Sequence, residues 1–480
     1  MTKSILRKYA KLIVQMGVNI KKGQGAVILA DTAQSEIALM VAEEAYRAGA
    51  KWVDIRWTNQ DLDKMRYKKE SVKVLSATQE WEKARMQYEL DELPVRIWID
   101  SDDPDGLKGV NVEKMQKANL ARMKVRKPYR DAMENKYQWT IVAVPSAKWA
   151  KKVFPNDRTS VAVKKLWDAI LQTVRVSKDN DPVEAWKAHN ASLKARYEKL
   201  NACHFESLHY FSENGTDFTC GLIPDAQWMG GGETLLDGTF FNPNMPTEEI
   251  FTSPMKGKAE GTVVSTMPLS YQGNLIENFS ITFKGGRAVS CKAEKNQELL
   301  EHMIAMDEGA AQIGELALIP NDSPISNLGI LFYNTLFDEN ASCHIALGLG
   351  FPNVIKDYDK YTLDEIHDKG VNDSVIHVDF MVGDATMNID GITPDGEIKV
   401  CGYDPHSFGM LSDFESILQN PDYRAYLQHY NDDSEDCQGC ELYTLCCGQC
   451  IFGDHSQETW QVNCRFMKYL MEKLREGDEK

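Results

Sequence analysis

Apolar positions near the start of the chain change their period twice within thirty-odd residues. Ala26-Val27-Ile28-Leu29-Ala30 is a short continuous apolar run bounded by Gly25 and Asp31, which predicts a buried strand. Over 34–48 the spacing becomes helical (Ile37, Met40, Val41, Ala45, Ala48) and stops at Gly49, and Trp52-Val53-Asp54-Ile55-Arg56-Trp57 reads as a second strand. Strand, helix and strand at this spacing form a βαβ unit, so the sheet is parallel. Val95-Arg96-Ile97-Trp98-Ile99 and Trp139-Thr140-Ile141-Val142-Ala143-Val144 continue the pattern around a charged helix at about 111–134, and helices follow at about 159–175 and 182–200. Residues 1–200 are therefore expected to be an α/β N-terminal lobe with a parallel sheet.

The texture then changes. Phe205 to Leu222, Gly261 to Ser265, Asn278 to Phe283 and Ala288 to Ala293 read as strands separated by Gly, Asn and Pro turns such as Lys284-Gly285-Gly286, with helix confined to about 295–314. Residues 201–400 are expected to form an α+β lobe with a mainly antiparallel sheet. A third shift comes after the strand-like Asp395-Gly396-Glu397-Ile398-Lys399-Val400, where residues 401–480 begin a small Cys-rich C-terminal module.

Length agrees with this division, because 480 residues exceed what one ordinary core holds. A net charge of -17 argues against a nucleic-acid partner, since phosphate binding needs clustered Lys and Arg. Met1-Thr2-Lys3-Ser4-Ile5-Leu6-Arg7-Lys8 opens an amphipathic pattern without the apolar core or cleavage site of a signal peptide. No apolar run approaches the ~18 residues of a membrane helix. A cytoplasmic protein with no membrane partner is expected. Cys203, Cys220, Cys291 and Cys343 are scattered, whereas Cys401, Cys437, Cys440, Cys446, Cys447, Cys450 and Cys464 crowd the tail. In a reducing compartment such a cluster reads as a metal or iron-sulfur site before a set of disulfides.

Four segments of the second lobe carry residues suited to divalent metals: Pro246-Thr247-Glu248-Glu249-Ile250-Phe251-Thr252, Gly314-Glu315, Asn340-Ala341-Ser342-Cys343-His344-Ile345-Ala346 and Ile376-His377-Val378-Asp379-Phe380. Two apart on a strand, His377 and Asp379 face the same way, which suits two ligands of one metal pair. Mixed imidazole and carboxylate ligands suit Zn, Co or Mn, and two such ions clamp a water and a scissile carbonyl. Against this, a single His-x-Asp on a strand is more often a structural hydrogen-bonded pair, and Glu248 and Glu249 read equally well as first-turn carboxylates of a helix.

Four longer stretches, met in order, are more specific. Asn244-Met245-Pro246-Thr247-Glu248-Glu249-Ile250-Phe251-Thr252, Leu269-Ser270-Tyr271-Gln272-Gly273-Asn274-Leu275-Ile276-Glu277-Asn278-Phe279, Glu339-Asn340-Ala341-Ser342-Cys343-His344-Ile345-Ala346 and Gly370-Val371-Asn372-Asp373-Ser374-Val375-Ile376-His377-Val378-Asp379-Phe380-Met381 resemble the thermophilic aminopeptidase family, of the aminopeptidase T and aminopeptidase S type. The resemblance covers residues 1–400. It implies a homodimeric, leucyl-type metallo-aminopeptidase that takes short peptides with free N-termini and holds two divalent ions on Glu249, Glu315, His344, His377 and Asp379. Glu248, Glu249 and Glu315 are all candidates for the general base, and the choice among them stays open.

One residue departs from the family pattern. Seven residues after His344, where the family has a Tyr at the metal site, this chain has Phe351, which offers no oxygen for ligation or oxyanion stabilisation. A slower enzyme, a site completed by Tyr358 or Tyr361, and an inactive metal-binding homologue acting as a peptide-binding or iron-sulfur interaction protein are the competing consequences. Retention of all five ligand positions favours an active enzyme.

In the tail, Cys437-x2-Cys440-x5-Cys446-x3-Cys450, with Cys464 beyond, resembles the SPASM auxiliary domain of radical-SAM maturases. The resemblance implies that Cys437, Cys440, Cys446 and Cys464 hold one 4Fe-4S cluster, and it suggests a peptide-modifying maturase as partner. Cys401 and Cys450 match two ligands of a second cluster, but the further Cys expected shortly after Gly409 is absent. A structural Zn in the same four thiolates is the alternative, as is a tail without function. No Cys-x3-Cys-x2-Cys is present to support radical chemistry.

Overall fold

The computed structural model describes residues 2–394, except Gly273 and Asn321, and the backbone of Ile398 and Lys399. The Cys-rich module with Cys437, Cys440, Cys446 and Cys464 lies outside the described residues.

The expected parallel sheet is present, in the order Asn244–Met245, Trp139–Ala143, Val95–Asp100, Gly25–Asp31, Trp52–Thr58. Ala26, Ile28, Val95, Ile97 and Val142 enter one core with helices Lys3–Leu12 and Ser35–Arg47. The second helix buries Ile37, Met40, Val41 and Ala45 of the stripe read from the sequence, with Ala38 and Ala42 besides and Ala48 half-buried, and its polar side pairs Arg47 with Glu43 and Glu44. Helix Pro182–Cys203 starts where Asp181 caps the Val183 amide and Pro182 occupies the first turn, a position that needs no amide hydrogen. The fifth strand, Asn244–Met245, comes from beyond residue 200 and leads directly into the first segment of candidate ligands.

Two larger antiparallel sheets and a short two-stranded hairpin, Glu233–Thr234 with Phe240–Phe241, follow among the described residues. The larger runs Leu269–Tyr271, Asn274–Lys284, Pro254–Val264, Asp217–Leu222, Ser207–Phe211, Asn388–Ile392, Ile398–Lys399, with Arg287–Lys295 paired to Asn274–Lys284. The smaller has the order His377–Met381, His344–Gly348, Ile313–Leu318, Ile250–Thr252, Met229–Gly230. Both pack on a shared core that includes Phe218, Phe283, Leu316, Ile345, Leu347 and Phe380.

The helix expected over 295–314 is corrected to Gln297–Ile304. Beyond Ile304 the chain makes a pinned turn, in which the Asp307 carboxylate accepts from the Ala310 and Val375 amides and the Ser374 hydroxyl. Ile313–Leu318 is then a strand, so Glu315 sits in the middle of a sheet and not at a helix end.

Candidate metal centre

Strand register explains how residues far apart in sequence meet on the smaller sheet. Side chains directly opposite on paired antiparallel strands share a face. Glu315 lies opposite Ala346, and Ala346 opposite Asp379, so these three form a row across the sheet. The adjoining row holds Ala317, His344 and Met381, and on the other side Gly348 faces His377. Ligand-type side chains thus alternate with Ala317, Ala346 and Gly348, whose small size leaves space above the sheet. The opposite face sends Leu316, Ile345, Leu347, Val378 and Phe380 into the core.

An irregularity makes this arrangement possible. Plain alternation would point Ile313 and Glu315 the same way, but they pair with Leu347 and Ala346, which are neighbours on the adjacent strand. The bulge at Gly314 sends Ile313 to the core and turns Glu315 to the ligand face, a known use of bulges beside functional sites. Gly314 is required because a Cβ there would run into the carbonyl oxygens of Gly348 and Leu349. Gly348, at φ +103°, likewise admits no side chain against the Ile376 carbonyl.

Glu249, just ahead of the strand Ile250–Thr252, completes the set. Glu249, Glu315 and His344 bring one ligand atom each within 4.8 Å of one another, and Glu315, His377 and Asp379 do the same. Glu315 belongs to both trios. His344 Nε2 lies 3.5 Å from Glu249 Oε2, and His377 Nε2 lies 3.0 Å from Glu315 Oε2 and 3.2 Å from Asp379 Oδ1. Each imidazole donates its Nδ1–H to a backbone carbonyl, that of Glu339 at 2.8 Å and that of Leu349 at 2.7 Å. A carbonyl only accepts, so in the neutral ring Nε2 carries the lone pair and faces the carboxylates, as in protein metal sites generally.

The electrostatics are those of a site built around positive charge. Burial, together with Glu315, pushes the Glu249 carboxyl up to about 7. Burial would lower His344, but Asp379, Glu315 and Glu249 carry it above the usual imidazole value; His377 is likewise raised well above it, chiefly by Asp379 against the effect of burial. Burial alone would raise Asp379, but His377 outweighs it and holds the carboxyl down at about 2. The buried Asp379 Oδ1 accepts no well-directed hydrogen bond. Four buried carboxylates, Glu249, Glu315, Glu339 and Asp379, and two imidazoles therefore fit two divalent cations in charge and in donor type.

Glu339 is a residue that the sequence reading missed. Its carboxyl is buried, raised well above the usual range by burial and then by Asp379, Glu249 and Glu315, and it belongs to neither trio. Its place at the head of the motif ending in His344 was the available signal. Glu248, by contrast, is committed elsewhere: Arg175 Nη2 donates to its Oε2 at 3.0 Å, which removes it from the candidates for general base. Phe351 packs its ring 5.0 Å from His377 and 5.2 Å from Phe251, walling one side of the site. The two tyrosines considered as substitutes are turned to other groups. Tyr361 is exposed beneath the Lys369 ammonium, and Tyr358 packs in the apolar cluster with Phe351 and Phe251, its buried hydroxyl making no hydrogen bond.

Comparison with known proteins agrees with this geometry. Residues 2–403 match the thermophilic metalloprotease family M29. The chain is 42% identical over 393 residues to aminopeptidase AmpS of Bacillus subtilis (strain 168), covering 82% of this chain and 95% of that protein. It is 39% identical, with the same coverage, to aminopeptidase 2 of Geobacillus stearothermophilus. The solved structure of wild-type AmpT from Thermus thermophilus superimposes with a TM-score of 0.75 at 35% identity, covering 83% of this chain and 97% of that one. With five ligand-type residues gathered on one sheet face and a family match across nearly all the described residues, the chain belongs to the M29 family of thermophilic metalloproteases.

Proposed function

We propose that the protein is a metal-dependent aminopeptidase that removes N-terminal residues from short peptides. The observation that carries this reading is the pair of ligand trios sharing Glu315, in a chain whose relatives are aminopeptidases by name. Glu249, Glu315 and His344 would hold one divalent ion and Glu315, His377 and Asp379 the other, with Zn, Co or Mn suited to such ligands. Bound there, the ions would polarise the scissile carbonyl and make water a nucleophile near neutral pH.

The chain's own groups do the rest. Glu249 and Glu315 fix the catalytic geometry as ligands. Glu339, outside both trios, takes a proton from the entering water and returns it to the leaving amine; Glu339→Gln should lower kcat by about 10²- to 10⁴-fold with both ions still bound, and loss of an ion would make it a ligand instead. Phe251 and Phe351 form an apolar wall on one side of His377, whose side chain stays partly exposed.

The direct test is release of free amino acids from short peptides with unblocked N-termini, supplied with Co, Zn or Mn and repeated with chelator and with His377→Ala. Both controls should abolish turnover. Turnover that survives either one would rule out the metallopeptidase.

Division into an α/β lobe to about residue 200 and a catalytic lobe to about 400 is supported by two cores, one drawn mainly from Leu6 to Trp186 and one from Leu193 to Val382, with a third in which Trp149, Leu166 and Ile170 pack on Ile325, Phe332 and Phe337 to join the lobes. A homodimer is the assembly implied by the family resemblance, and exposed apolar side chains such as Trp57, Met65 and Trp81 are available on the N-terminal lobe. A solution mass of 54.3 kDa would contradict it. Among the described residues no helix is long and apolar enough to cross a membrane, and the localisation we propose is cytoplasmic. For residues 401–480 the reading is a SPASM-like module that holds a 4Fe-4S cluster on Cys437, Cys440, Cys446 and Cys464 and docks a maturase. Iron and sulfide analysis of anaerobically purified protein tests the cluster, and absence of both would exclude it.

A further inference from the structure

Glu249 is the one ligand that does not lie within a strand of the smaller sheet, so something other than strand pairing must hold it. Its neighbour Glu248 points away from the ligand face and is buried. Arg175, in the turn between helices Thr159–Thr173 and Pro182–Cys203, grips that carboxylate: Nη2 donates to Oε2 at 3.0 Å, and Nη1 lies 2.8 Å from Oε1. The Arg175 backbone is at φ +57°, a conformation uncommon for a residue with a side chain, and Asn180 Nδ2 donates to its carbonyl at 2.7 Å. Its guanidinium stands 6.0 Å from the Trp186 ring, and the Trp186 indole donates to the Val174 carbonyl at 2.8 Å.

Further contacts act on the same three residues. His189 Nε2 donates to the Thr247 carbonyl at 2.7 Å, the Glu248 amide donates to Asn340 Oδ1 at 2.7 Å, and the Thr247 hydroxyl reaches Glu249 Oε1 at 3.4 Å. Glu248 is thus an anchor between the N-terminal lobe and the segment that carries Glu339 and His344. Glu315, His377 and Asp379 have no such dependence, being held by strand pairing and by the Leu349 carbonyl.

We infer that Arg175 is a positioning residue for one half of the metal centre: through Glu248 it fixes Glu249, and so controls affinity at the Glu249–Glu315–His344 trio while leaving the Glu315–His377–Asp379 trio unaffected. This rests on the two-ion reading of the site. Loss of the guanidinium leaves Glu248 as a buried carboxylate without its counter-charge, beside a cluster that is already negative. The segment must then shift towards water, and that shift moves Glu249.

The experiment titrates the full-length, metal-stripped protein with Co²⁺ and follows the Co²⁺ absorption bands together with equilibrium dialysis. Wild type should bind two ions. Arg175→Met should weaken one of them by about 10- to 100-fold and leave the other unchanged, the range seen when groups behind a metal ligand are removed. Arg175→Lys, which keeps the charge but loses the two-pronged contact, should fall between them. Should Arg175→Met fail to fold, Glu248→Leu, which removes the anchor's acceptor oxygens altogether, must give the same one-sided loss. Unchanged affinity for both ions, or equal weakening of both in a protein with native circular dichroism, would overturn the inference. Failure of wild type to bind two ions would instead overturn the two-ion reading beneath it.

Discussion

Phe351 places an aromatic ring without a hydroxyl against the imidazole of His377. Its ring lies 5.0 Å from the His377 ring, so a hydroxyl added to it enters the neighbourhood of the cations and of the oxygen that becomes negative as the carbonyl is attacked. Phe351→Tyr should raise kcat by up to about 10²-fold, the scale of one donor to a developing oxyanion, with ion stoichiometry unchanged. Steady-state kinetics on a short peptide decides this, and an unchanged kcat would mean that the ring serves only as a wall. The candidate ligand residues that the fold gathers were legible because their motifs are long and ordered, and because His377 and Asp379 alternate on a strand. Glu339 was not, since a carboxylate in a turn carries no periodic signature. Nor was the commitment of Glu248, whose partner lies in another lobe. Only the folded chain brings Arg175 to it.

Single elements show the same division between local and distant information. The strands Gly25–Asp31, Trp52–Thr58 and Val95–Asp100 are apolar runs with clear bounds, and they were readable from the sequence alone. The bulge at Gly314 was not, because register is a property of two strands, and so a helix was expected to run into Ile313–Leu318. The short hairpin Glu233–Thr234 with Phe240–Phe241 carries a testable consequence of tertiary burial. Burial, and then Glu134, pushes the Glu233 carboxyl up to about 8. Below the unfolded value near 4.5 both states hold the proton and stability is unaffected. Between there and about 8 the unfolded chain releases its proton while the folded chain keeps it, so stability falls as pH rises. Glu233→Gln should therefore leave the melting temperature unchanged at pH 4–5 and stabilise the protein at pH 8–9. Because Glu233 is still partly exposed, the gain is discounted to about 1–3 kcal/mol. Thermal melts across that range test it, and an equal gain at every pH would refute the assignment.

For the molecule as a whole, the metal centre and the fold are one problem. The smaller sheet buries its second face in the core that it shares with the larger sheet, and its ligand face gathers four carboxylates with only two imidazoles and no Lys or Arg in either trio. Without cations that face is stable only by taking up protons, as the raised Glu249, Glu339, His344 and His377 indicate. Ions that bind the folded chain in preference to the unfolded one must then stabilise it by mass action, by about 2.7 kcal/mol for each site at a free concentration 100 times its dissociation constant. A larger protein converts each kcal/mol into fewer degrees, so removing both ions by chelator should lower the melting temperature by on the order of 5–10 °C. The effect should reverse when Co²⁺ or Zn²⁺ is restored, and it should be halved in His377→Ala, which retains only the trio of Glu249, Glu315 and His344. Scanning calorimetry of full-length protein with and without chelator makes the comparison. An identical melting temperature in both conditions would mean that the ions contribute nothing to the folded state, and that the carboxylates are stabilised instead by the protons and the long-range contacts already present.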